Sequence, residues 1–338
     1  MAHNMKEWSA EIINAKDRRY LPVLFFPCVS LGGYNVLDTV QDGAKMGEIM
    51  VKTAERFPEM IGTMTGMDLT LDPEAFGCDV RFKKKDTPAV TTHPVSTMAD
   101  VEALAVPGEH AGRLDLHYQA VRDTIAAKPE LPCFGGMLGP YSLAANLMEL
   151  AEALTGTIEK PDVMHALLEK ATEHLINRAK GYKAAGASGI LLAEPTAGLL
   201  APDNHREFSC KYVKQIVDAV QDDYFYVVLH DCANVTAMVD DMYATGAKGL
   251  HFGNAVDMTY ILSKIPADRL VFGNVDPALI FTDTPEEMKA RCLDLLQKTA
   301  EYPHFVLSSG CDVPVVAPLE NIDAMIEAMK EYNKSIGC

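Results

Sequence analysis

Residues Tyr224 to Val256 read YFYVVLHDCANVTAMVDDMYATGAKGLHFGNAV and give the clearest indication of the fold. The stretch begins with an apolar, β-branched run, continues through an amphipathic segment and ends in a second apolar run. Short apolar runs separated by segments with a helical pattern are typical of β-α-β units, in which the strands are parallel. The stretch therefore predicts two parallel strands joined by a helix, with His230 and Cys232 where the first strand ends.

The same alternation recurs along the rest of the chain. Strand-like runs are LPVLFFP from Leu21, an irregular region over residues 60–100, LPCFGGMLGPY from Leu131, ASGILLAEPTAG from Ala187, the two runs quoted above, RLVFGNVDP from Arg269 and HFVLSSGCD from His304. Eight repeats in 338 residues favour a (β/α)8 TIM barrel. A doubly wound open sheet is the alternative, but LGGYNV after the first run lacks the Gly-x-Gly-x-x-Gly nucleotide fingerprint.

The whole chain is predicted to be one barrel domain. It would span residues 1–338, with an N-terminal helical extension over residues 1–20 and an irregular strand and loop insertion over residues 60–100. No linker or low-complexity tract divides the sequence.

Composition narrows the classes of partner. The formal net charge of −17 argues against nucleic acid, since phosphate recognition draws on lysine and arginine, and it disfavours an anionic membrane surface. No apolar run approaches the roughly 18 residues of a spanning helix. The first twenty residues lack the apolar core of a secretion signal, so we expect a cytoplasmic protein. The eight cysteines show no disulfide-like clustering and should be reduced there.

The barrel fold predicts where chemistry gathers, because active sites of such barrels lie at the C-terminal ends of the strands. Polar and sulfur-bearing residues stand at these ends along the whole sequence. They are Cys28, Tyr141, Ser142, Glu194, His230, Cys232, His251, Asn274, Asp276 and Cys311. All of these candidates are therefore expected on one face.

Three of these candidates suggest a metal. Zinc prefers nitrogen and thiolate ligands, and catalytic zinc sites usually have three protein ligands and one open position. His230 and Cys232 are two residues apart on an extended segment, so their side chains point the same way, and Cys311 ends the eighth strand. Cys28 is a rival ligand without an accompanying histidine. The alternative is two buried cysteines and a histidine bonded to a backbone carbonyl.

Several motifs together resemble a known family. HDCAN at 230 with SSGCDVPVVAPLENI at 308, GGMLGPYSLA at 135, LLAEPTAGLLAP at 191 and GNVDP at 273 are similar to motifs of the methylcobalamin:coenzyme M methyltransferases. These enzymes belong to the uroporphyrinogen decarboxylase superfamily. The resemblance covers the chain from about residue 20 to its end and is vague between residues 60 and 100.

The resemblance implies a zinc ion held by His230, Cys232 and Cys311. It also implies methyl transfer between a corrinoid (methylcobalamin), carried on a separate small corrinoid-binding protein, and a small thiol such as coenzyme M. The decarboxylase branch is disfavoured, because a porphyrinogen substrate bears many carboxylates and the loop after the first strand, PCVSLGGYNVLDT, carries no cation.

The remaining candidates are expected to lie around the zinc ion. Glu194 is expected to accept the thiol proton or to act as a fourth ligand, with a pocket-wall or helix-start carboxylate as the plainer alternative. The candidates for cofactor contact are Tyr141, Ser142, His251, Asn274 and Asp276. His251 could instead support the metal ligands, and Asp276 could simply begin a helix.

The direction of transfer and the substrate stay open. A substrate-side demethylase, which loads the corrinoid protein with methyl from a methoxy, amine or thioether compound, is the main alternative, and a non-catalytic zinc barrel is a further one. Coenzyme M carries a sulfonate, and the sequence shows no obvious arginine for it near the mouth. Homocysteine or another small thiol therefore remains open.

Overall fold

Seven parallel strands form one sheet in the computed structural model, which describes residues 2–338. In chain order the nine strands are β1 (Thr63–Met64), β2 (Val80–Arg81), β3 (Ala89–Val90), β4 (Cys133–Leu138), β5 (Gly189–Ala193), β6 (Tyr226–Asp231), β7 (Gly249–Phe252), β8 (Leu270–Val275) and β9 (Phe305–Ser309). The order in the main sheet is β1-β4-β5-β6-β7-β8-β9. Each strand of this sheet lies beside the strand of the same sheet that follows it along the chain, because β2 and β3 pair only with each other. The sheet therefore follows the order expected of a TIM barrel.

The eighth position of the barrel is filled by the segment at Tyr20. The amide of Leu21 donates to the carbonyl of Leu307 in β9 at 3.0 Å, and the amide of Ile61, just before β1, donates to the carbonyl of Tyr20 at 3.2 Å. The segment therefore joins the two edges of the sheet. The predicted first strand is shorter than expected because Pro22 has no amide hydrogen with which to continue the ladder.

Helices follow the strands, as the sequence pattern predicts. They are α1 (Met5–Asn14), α2 (Val36–Val40), α3 (Gly43–Arg56), α4 (Leu71–Ala75), α5 (Met98–Ala103), α6 (Leu114–Ala127), α7 (Pro140–Met148), α8 (Leu150–Glu159), α9 (Pro161–Ala184), α10 (Pro202–His205), α11 (Lys211–Val220), α12 (Val239–Ala244), α13 (Met258–Lys264), α14 (Pro277–Thr282), α15 (Pro285–Lys298) and α16 (Leu319–Ser335). Helix α1 precedes the barrel, which confirms the N-terminal helical extension. The fold class predicted from the sequence is thus confirmed.

The strands of the main sheet are buried along their length. Every residue of β4, β5, β6, β7 and β9 is buried, as expected for a parallel sheet covered on both faces. No helix within residues 2–338 is both long enough and apolar enough to cross a membrane.

The region over residues 60–100 contains a short hairpin. Strands β2 and β3 pair antiparallel, with Val80 opposite Val90 and Arg81 opposite Ala89. The turn between them spans residues 82–88, and its backbone is held against α2 by a bond from the amide of Val36 to the carbonyl of Lys84 at 3.1 Å. This arrangement fixes the hairpin beside the C-terminal end of the barrel.

A fully buried charge cluster ties helix α4 to helix α9. The guanidinium of Arg178 donates to the carboxylate of Asp72, and His174 Nε2 lies 3.1 Å from the other carboxylate oxygen. Arg178 also donates to the carbonyl of Gly136 in β4 at 2.9 Å. Burial by itself raises the pKa of Asp72, but the charge of Arg178 and the bond with His174 outweigh it and hold the pKa at about 2.

Candidate metal centre

Three soft donors converge above the C-terminal ends of β6 and β9. One ligand atom each from His230, Cys232 and Cys311 lies within 4.8 Å of the others. His230 is in β6, Cys232 follows that strand by one residue, and Cys311 follows β9 by two. Two strands, β7 and β8, separate β6 from β9 in the sheet, so the barrel closure and its loops bring these residues together.

The ring of His230 is oriented by a second histidine. His230 Nδ1 lies 2.7 Å from Nδ1 of His251, its neighbour across the β6–β7 ladder, and His251 Nε2 lies 3.0 Å from Oγ of Ser308. His230 Nε2 is buried and has no hydrogen-bond partner. A consistent proton arrangement puts a hydrogen on His230 Nδ1, donated to His251, and a hydrogen on His251 Nε2, donated to Ser308. It leaves His230 Nε2 with a free lone pair.

The pKa of His251 lies well below its usual value, mainly because the ring is buried and also because His230 is its neighbour. His251 is therefore neutral and able to accept the hydrogen from His230. A ligating histidine whose other nitrogen is held in this way has a fixed tautomer and ring orientation. The structure thus places His251 behind His230, where it supports that ring.

The thiols of the two cysteines form a coupled pair. The thiol of Cys311 and then the ring of His230 lower the pKa of Cys232. The pKa of Cys311 is raised, because it shares its proton with the sulfur of Cys232 and because it is buried. The pair therefore keeps one thiolate at neutral pH, and a cation between the two sulfurs would favour the second.

Asp231, between the two ligand candidates of β6, positions the segment. Its side chain points to the opposite face of the strand, where Oδ1 accepts the amide of Ala233 at 2.9 Å. Gly253 supports the same turn from β7, since a Cβ there would lie 2.5 Å from the carbonyl oxygen of Cys232. No role for Asp231 is predicted from the sequence, although its place within HDC is a signal for it.

A cavity of about 200 Å³ opens beside the donors. His230, Cys311 and Asp312 line it, together with Thr87 and Pro88 from the hairpin turn. Seven of the eleven lining residues are apolar. A small molecule in this cavity would therefore meet the imidazole and a thiol on one wall and mainly hydrocarbon on the others.

Glu194 follows β5, as predicted, but its carboxylate faces helix α7. Its two oxygens accept the amides of Tyr141 at 2.9 Å and Ser142 at 2.8 Å, and the hydroxyl of Ser209 donates to it at 3.2 Å. Gly139 permits this approach, since a Cβ there would lie 2.4 Å from the Glu194 carboxyl carbon. Burial raises the pKa of Glu194. The geometry supports the helix-start role, and its role in proton transfer stays a prediction.

We expect replacement of Glu194 by alanine to destabilise the fold. Two buried amides at the start of α7 would lose their acceptor, which at about 1–3 kcal/mol for each unsatisfied group predicts a loss of about 2–6 kcal/mol. Urea unfolding measures this, and Glu194→Gln, which keeps one acceptor oxygen, should lose less. If Glu194→Gln instead unfolds like the wild type, keeps its metal and turns over much more slowly, the catalytic role is the correct one.

The side chains of Tyr141 and Ser142 are fully buried at the start of α7. The Ser142 hydroxyl accepts a bond from the hydroxyl of Thr196 at 2.8 Å. The Tyr141 hydroxyl is buried and has no partner within residues 2–338. Neither residue lines the cavity beside the donors, so their contact with a cofactor stays a prediction.

The side chains of Asn274 and Asp276 bond to the backbone of a neighbouring loop and of a helix start. Asn274 Nδ2 donates to the carbonyls of Gly253 and Val256, both at 3.0 Å, which secures the loop after β7. Asp276 Oδ1 accepts the amide of Ala278 at 2.8 Å and so caps helix α14. Cofactor contact by either residue stays a prediction.

Cys28, the rival ligand, lies apart from the donors. It is buried in a 3-10 turn over residues 26–32, and burial raises its pKa to about 11. Within residues 2–338, the cluster of converging donors consists of His230, Cys232 and Cys311, without Cys28.

The donor set suits zinc. Tetrahedral zinc with Zn–S bonds near 2.3 Å and a Zn–N bond near 2.0 Å separates its ligand atoms by roughly 3.5–3.8 Å, so the cluster needs only a small contraction. One imidazole and two thiolates leave the fourth coordination position of a tetrahedral ion free, and the cavity adjoins the three donors. Fold and site together define the class of protein: a TIM barrel with a candidate metal centre at its C-terminal face. That centre combines a His-x-Cys pair with a cysteine distant in the sequence.

The chain belongs to the uroporphyrinogen decarboxylase (URO-D) family, whose profile matches residues 21–332. Among curated relatives, the methylcobamide:CoM methyltransferase MtbA of Methanosarcina acetivorans is 30% identical over 295 residues, which cover 84% of this chain and 85% of that protein. The methylcobamide:CoM methyltransferase MtaA of Methanosarcina barkeri is 30% identical over 272 residues, 78% of each chain. A uroporphyrinogen decarboxylase of Burkholderia thailandensis is 24% identical over 339 residues, covering 94% of this chain and 90% of that one.

A solved structure agrees with the sequence comparison. A methyltransferase from Methanosarcina mazei superposes with a TM-score of 0.87 and 25% identity, covering 98% of this chain and 99% of that one. A B12-independent methionine synthase from Shewanella has a TM-score of 0.57 at 12% identity over 86% of this chain and 87% of that one, which supports the fold alone. These findings confirm the family resemblance found in the sequence.

Proposed function

We propose that this protein is a zinc-dependent methyltransferase that moves a methyl group between a corrinoid and a small thiol. The observation that carries the proposal is the convergence of His230, Cys232 and Cys311 beside a cavity. The relatives named as methylcobamide:CoM methyltransferases support the same reaction class. The uroporphyrinogen decarboxylase relative is a weaker guide, because no arginine within residues 2–338 lines the cavity to anchor a polycarboxylate.

Each residue has a defined task in this proposal. His230 Nε2 and the sulfurs of Cys232 and Cys311 would hold the ion, and His251 fixes the tautomer of His230. Bound there, zinc would take the substrate thiol at its open position and favour the thiolate. Two cysteinate ligands would neutralise the charge of the ion and so keep a bound substrate sulfur electron-rich.

The cavity would position the substrate thiolate. A thiolate held against a methylcorrinoid at the mouth reacts as in a unimolecular step. A methylcorrinoid bound there would supply the methyl group: its carbon would bond to the sulfur, and both electrons of the cobalt–carbon bond would remain on cobalt. The apolar walls limit water around the thiolate. We further propose that the corrinoid arrives on a separate small carrier protein, that residues 1–338 act as one barrel domain, and that the protein works in the cytoplasm.

The direct test follows free methylcobalamin anaerobically in its visible spectrum with a panel of small thiols. We expect the zinc-loaded protein to convert it to cob(I)alamin and to yield the methyl thioether, at least about 100-fold faster than the same mixture without protein, since thiolate fraction and positioning both increase. Metal-depleted protein should lose this rate and regain it with zinc. Zinc binding without any thiol-dependent loss of methylcobalamin would contradict the proposal.

A further inference from the structure

Four of the residues that line the cavity come from two segments outside the main sheet. Met67 and Leu69 belong to the loop between β1 and α4, and Thr87 and Pro88 belong to the hairpin turn. The metal donors fix where a substrate sulfur would lie, so these four side chains help to decide how much room is left beside it.

A single arginine bonds to the first of these segments. Arg113, immediately before α6, donates through Nη1 to Oδ2 of Asp68 at 2.6 Å and through Nη2 to the hydroxyl of Thr70 at 3.0 Å. Asp68 is buried, and its Oδ1 accepts the amide of Thr70 at 3.0 Å. Charge-assisted bonds of this kind are stronger than neutral ones. Because Asp68 stands between Met67 and Leu69 in the chain, these bonds also fix the backbone of both lining residues.

The same guanidinium packs against the second segment. Its Cζ lies 4.8 Å from the centre of the Phe82 ring, within the range of a cation–π contact. Phe82 begins the turn that carries Thr87 and Pro88. Arg113 therefore contacts both segments, although it stands outside the lining that the described residues form.

Met67 is held on its other side by the main sheet. Its side chain is buried, and Gly136 in β4 leaves room for its sulfur, since a Cβ at Gly136 would clash with Sδ of Met67. Methionine is usually an adaptable side chain that fills gaps. Contact with β4 and the fixed backbone at Asp68 restrict it here, so Met67 forms a firm limit of the cavity.

We propose that Met67 limits the bulk of the thiol that the site accepts, and that Arg113 is the positioning residue that keeps Met67 in place through Asp68. The assignment rests on the proposed function and narrows its substrate class to primary thiols with little bulk next to the sulfur. A cavity of about 200 Å³ agrees with a small substrate, because pockets that enclose drug-sized ligands have roughly 300–1,000 Å³.

The test compares ethanethiol with cyclohexanethiol, two uncharged thiols that differ in bulk next to the sulfur. Each is titrated into the Co(II)-substituted protein, where the sulfur-to-cobalt charge-transfer band reports binding without turnover. In the wild type we expect cyclohexanethiol to bind about tenfold or more weakly, which is the discrimination that surplus methylenes produce in an apolar pocket of fixed size.

Variants at Met67 test the limit itself. Met67→Ala should lower the ratio of the two dissociation constants by about tenfold, because the shorter side chain leaves room for the ring. Met67→Leu, which has a similar volume, should keep the wild-type ratio. Comparison of ratios between variants cancels any difference in acidity between the two thiols.

Arg113→Lys tests the positioning role. Lysine keeps a positive charge beside Asp68 but loses the planar fork that also reaches Thr70. We expect the ratio to fall by about threefold while ethanethiol binding stays within about twofold of the wild type. In Met67→Ala protein the same change should alter the ratio by less than about 1.5-fold, because Arg113 acts through Met67. Thr70→Val, which leaves the buried charge pair intact, should shift the ratio in the same direction by a smaller factor.

Arg122→Lys is the matched control, because Arg122 is an exposed arginine on the same helix and should leave both dissociation constants unchanged. Cobalt content and the spectrum without thiol should equal those of the wild type in every variant. This readout separates a reshaped cavity from a damaged metal centre.

The outcomes separate the two proposals. If the wild type binds both thiols equally, or if Met67→Ala leaves the ratio unchanged, the inference is wrong and the methyltransferase proposal stands. If Arg113→Lys weakens both thiols equally, or shifts the ratio as much in Met67→Ala protein as in the wild type, the positioning role of Arg113 is overturned. If neither thiol produces the band on cobalt-loaded wild type, the site does not take thiols, and both proposals fail.

Discussion

Replacement of Cys311 by alanine is expected to abolish both metal retention and methyl transfer. The residue supplies one of three converging donors, and its sulfur lies in the same 4.8 Å cluster as a ring nitrogen of His230 and the sulfur of Cys232. With two protein ligands left, zinc should dissociate during dialysis against a chelator. An ordinary thiol is only a few per cent thiolate at neutral pH, so the loss of activation alone should slow transfer by about 30- to 100-fold, and lost positioning adds to this.

The measurement combines metal analysis by mass spectrometry with the methylcobalamin assay. Cys338→Ala is the matched control, because Cys338 is exposed at the end of the chain and should keep both metal and rate. Cys28→Ala adds a sharper comparison, since it removes a buried thiol from the 3-10 turn over residues 26–32. Equimolar zinc in Cys311→Ala, or loss of zinc in Cys28→Ala, would show that the ligand assignment is wrong.

The second large effect is expected at Asp72, which does not line the cavity. Its carboxylate is the partner of Arg178 and His174 in a fully buried cluster. Asp72→Ala would leave the Arg178 charge buried and uncompensated, a change that costs about 3–5 kcal/mol in comparable buried pairs. We expect this decrease in the free energy of unfolding in urea. Asp218→Ala, which breaks an exposed pair with Lys214 on one helix, should cost less than about 1 kcal/mol.

The same pair predicts a pH dependence with a definite sign. The folded state holds the pKa of Asp72 at about 2, below its ordinary value of 3.8, so its contribution to stability is complete above the ordinary value and is lost as the pH falls through about 2. The difference between wild type and Asp72→Ala should therefore be constant from pH 7 to about 5 and shrink between about 4 and 2. A difference that grows on acidification would contradict the assigned pair.

Much of the fold follows from local patterns. The stretch from Tyr224 to Val256 contains two buried strands and the helical segment between them, so its alternation suffices to predict a parallel unit. The barrel rule then places His230 and Cys311 at one face, although about eighty residues separate them. The convergence of their ligand atoms follows from this topology rather than from any local signal.

Other features could not be read from the sequence, because they depend on which way a side chain turns. Glu194 ends its strand as expected, but its carboxylate bonds to the start of α7. Thr87 and Pro88 reach the cavity only because the hairpin folds over the barrel mouth, and the irregular pattern of residues 60–100 carries no signal for that. The pairing of His230 with His251 required the register of two adjacent strands.

Zinc X-ray absorption of the purified protein, with and without a neutral thiol, tests the proposed metal centre. We expect one nitrogen at about 2.0 Å and two sulfurs at about 2.3 Å in the resting protein, with the fourth position filled by a light atom. Addition of 2-mercaptoethanol should convert this to one nitrogen and three sulfurs. A first shell that contains no sulfur, or one that already has four protein ligands and is unchanged by thiol, would contradict the account.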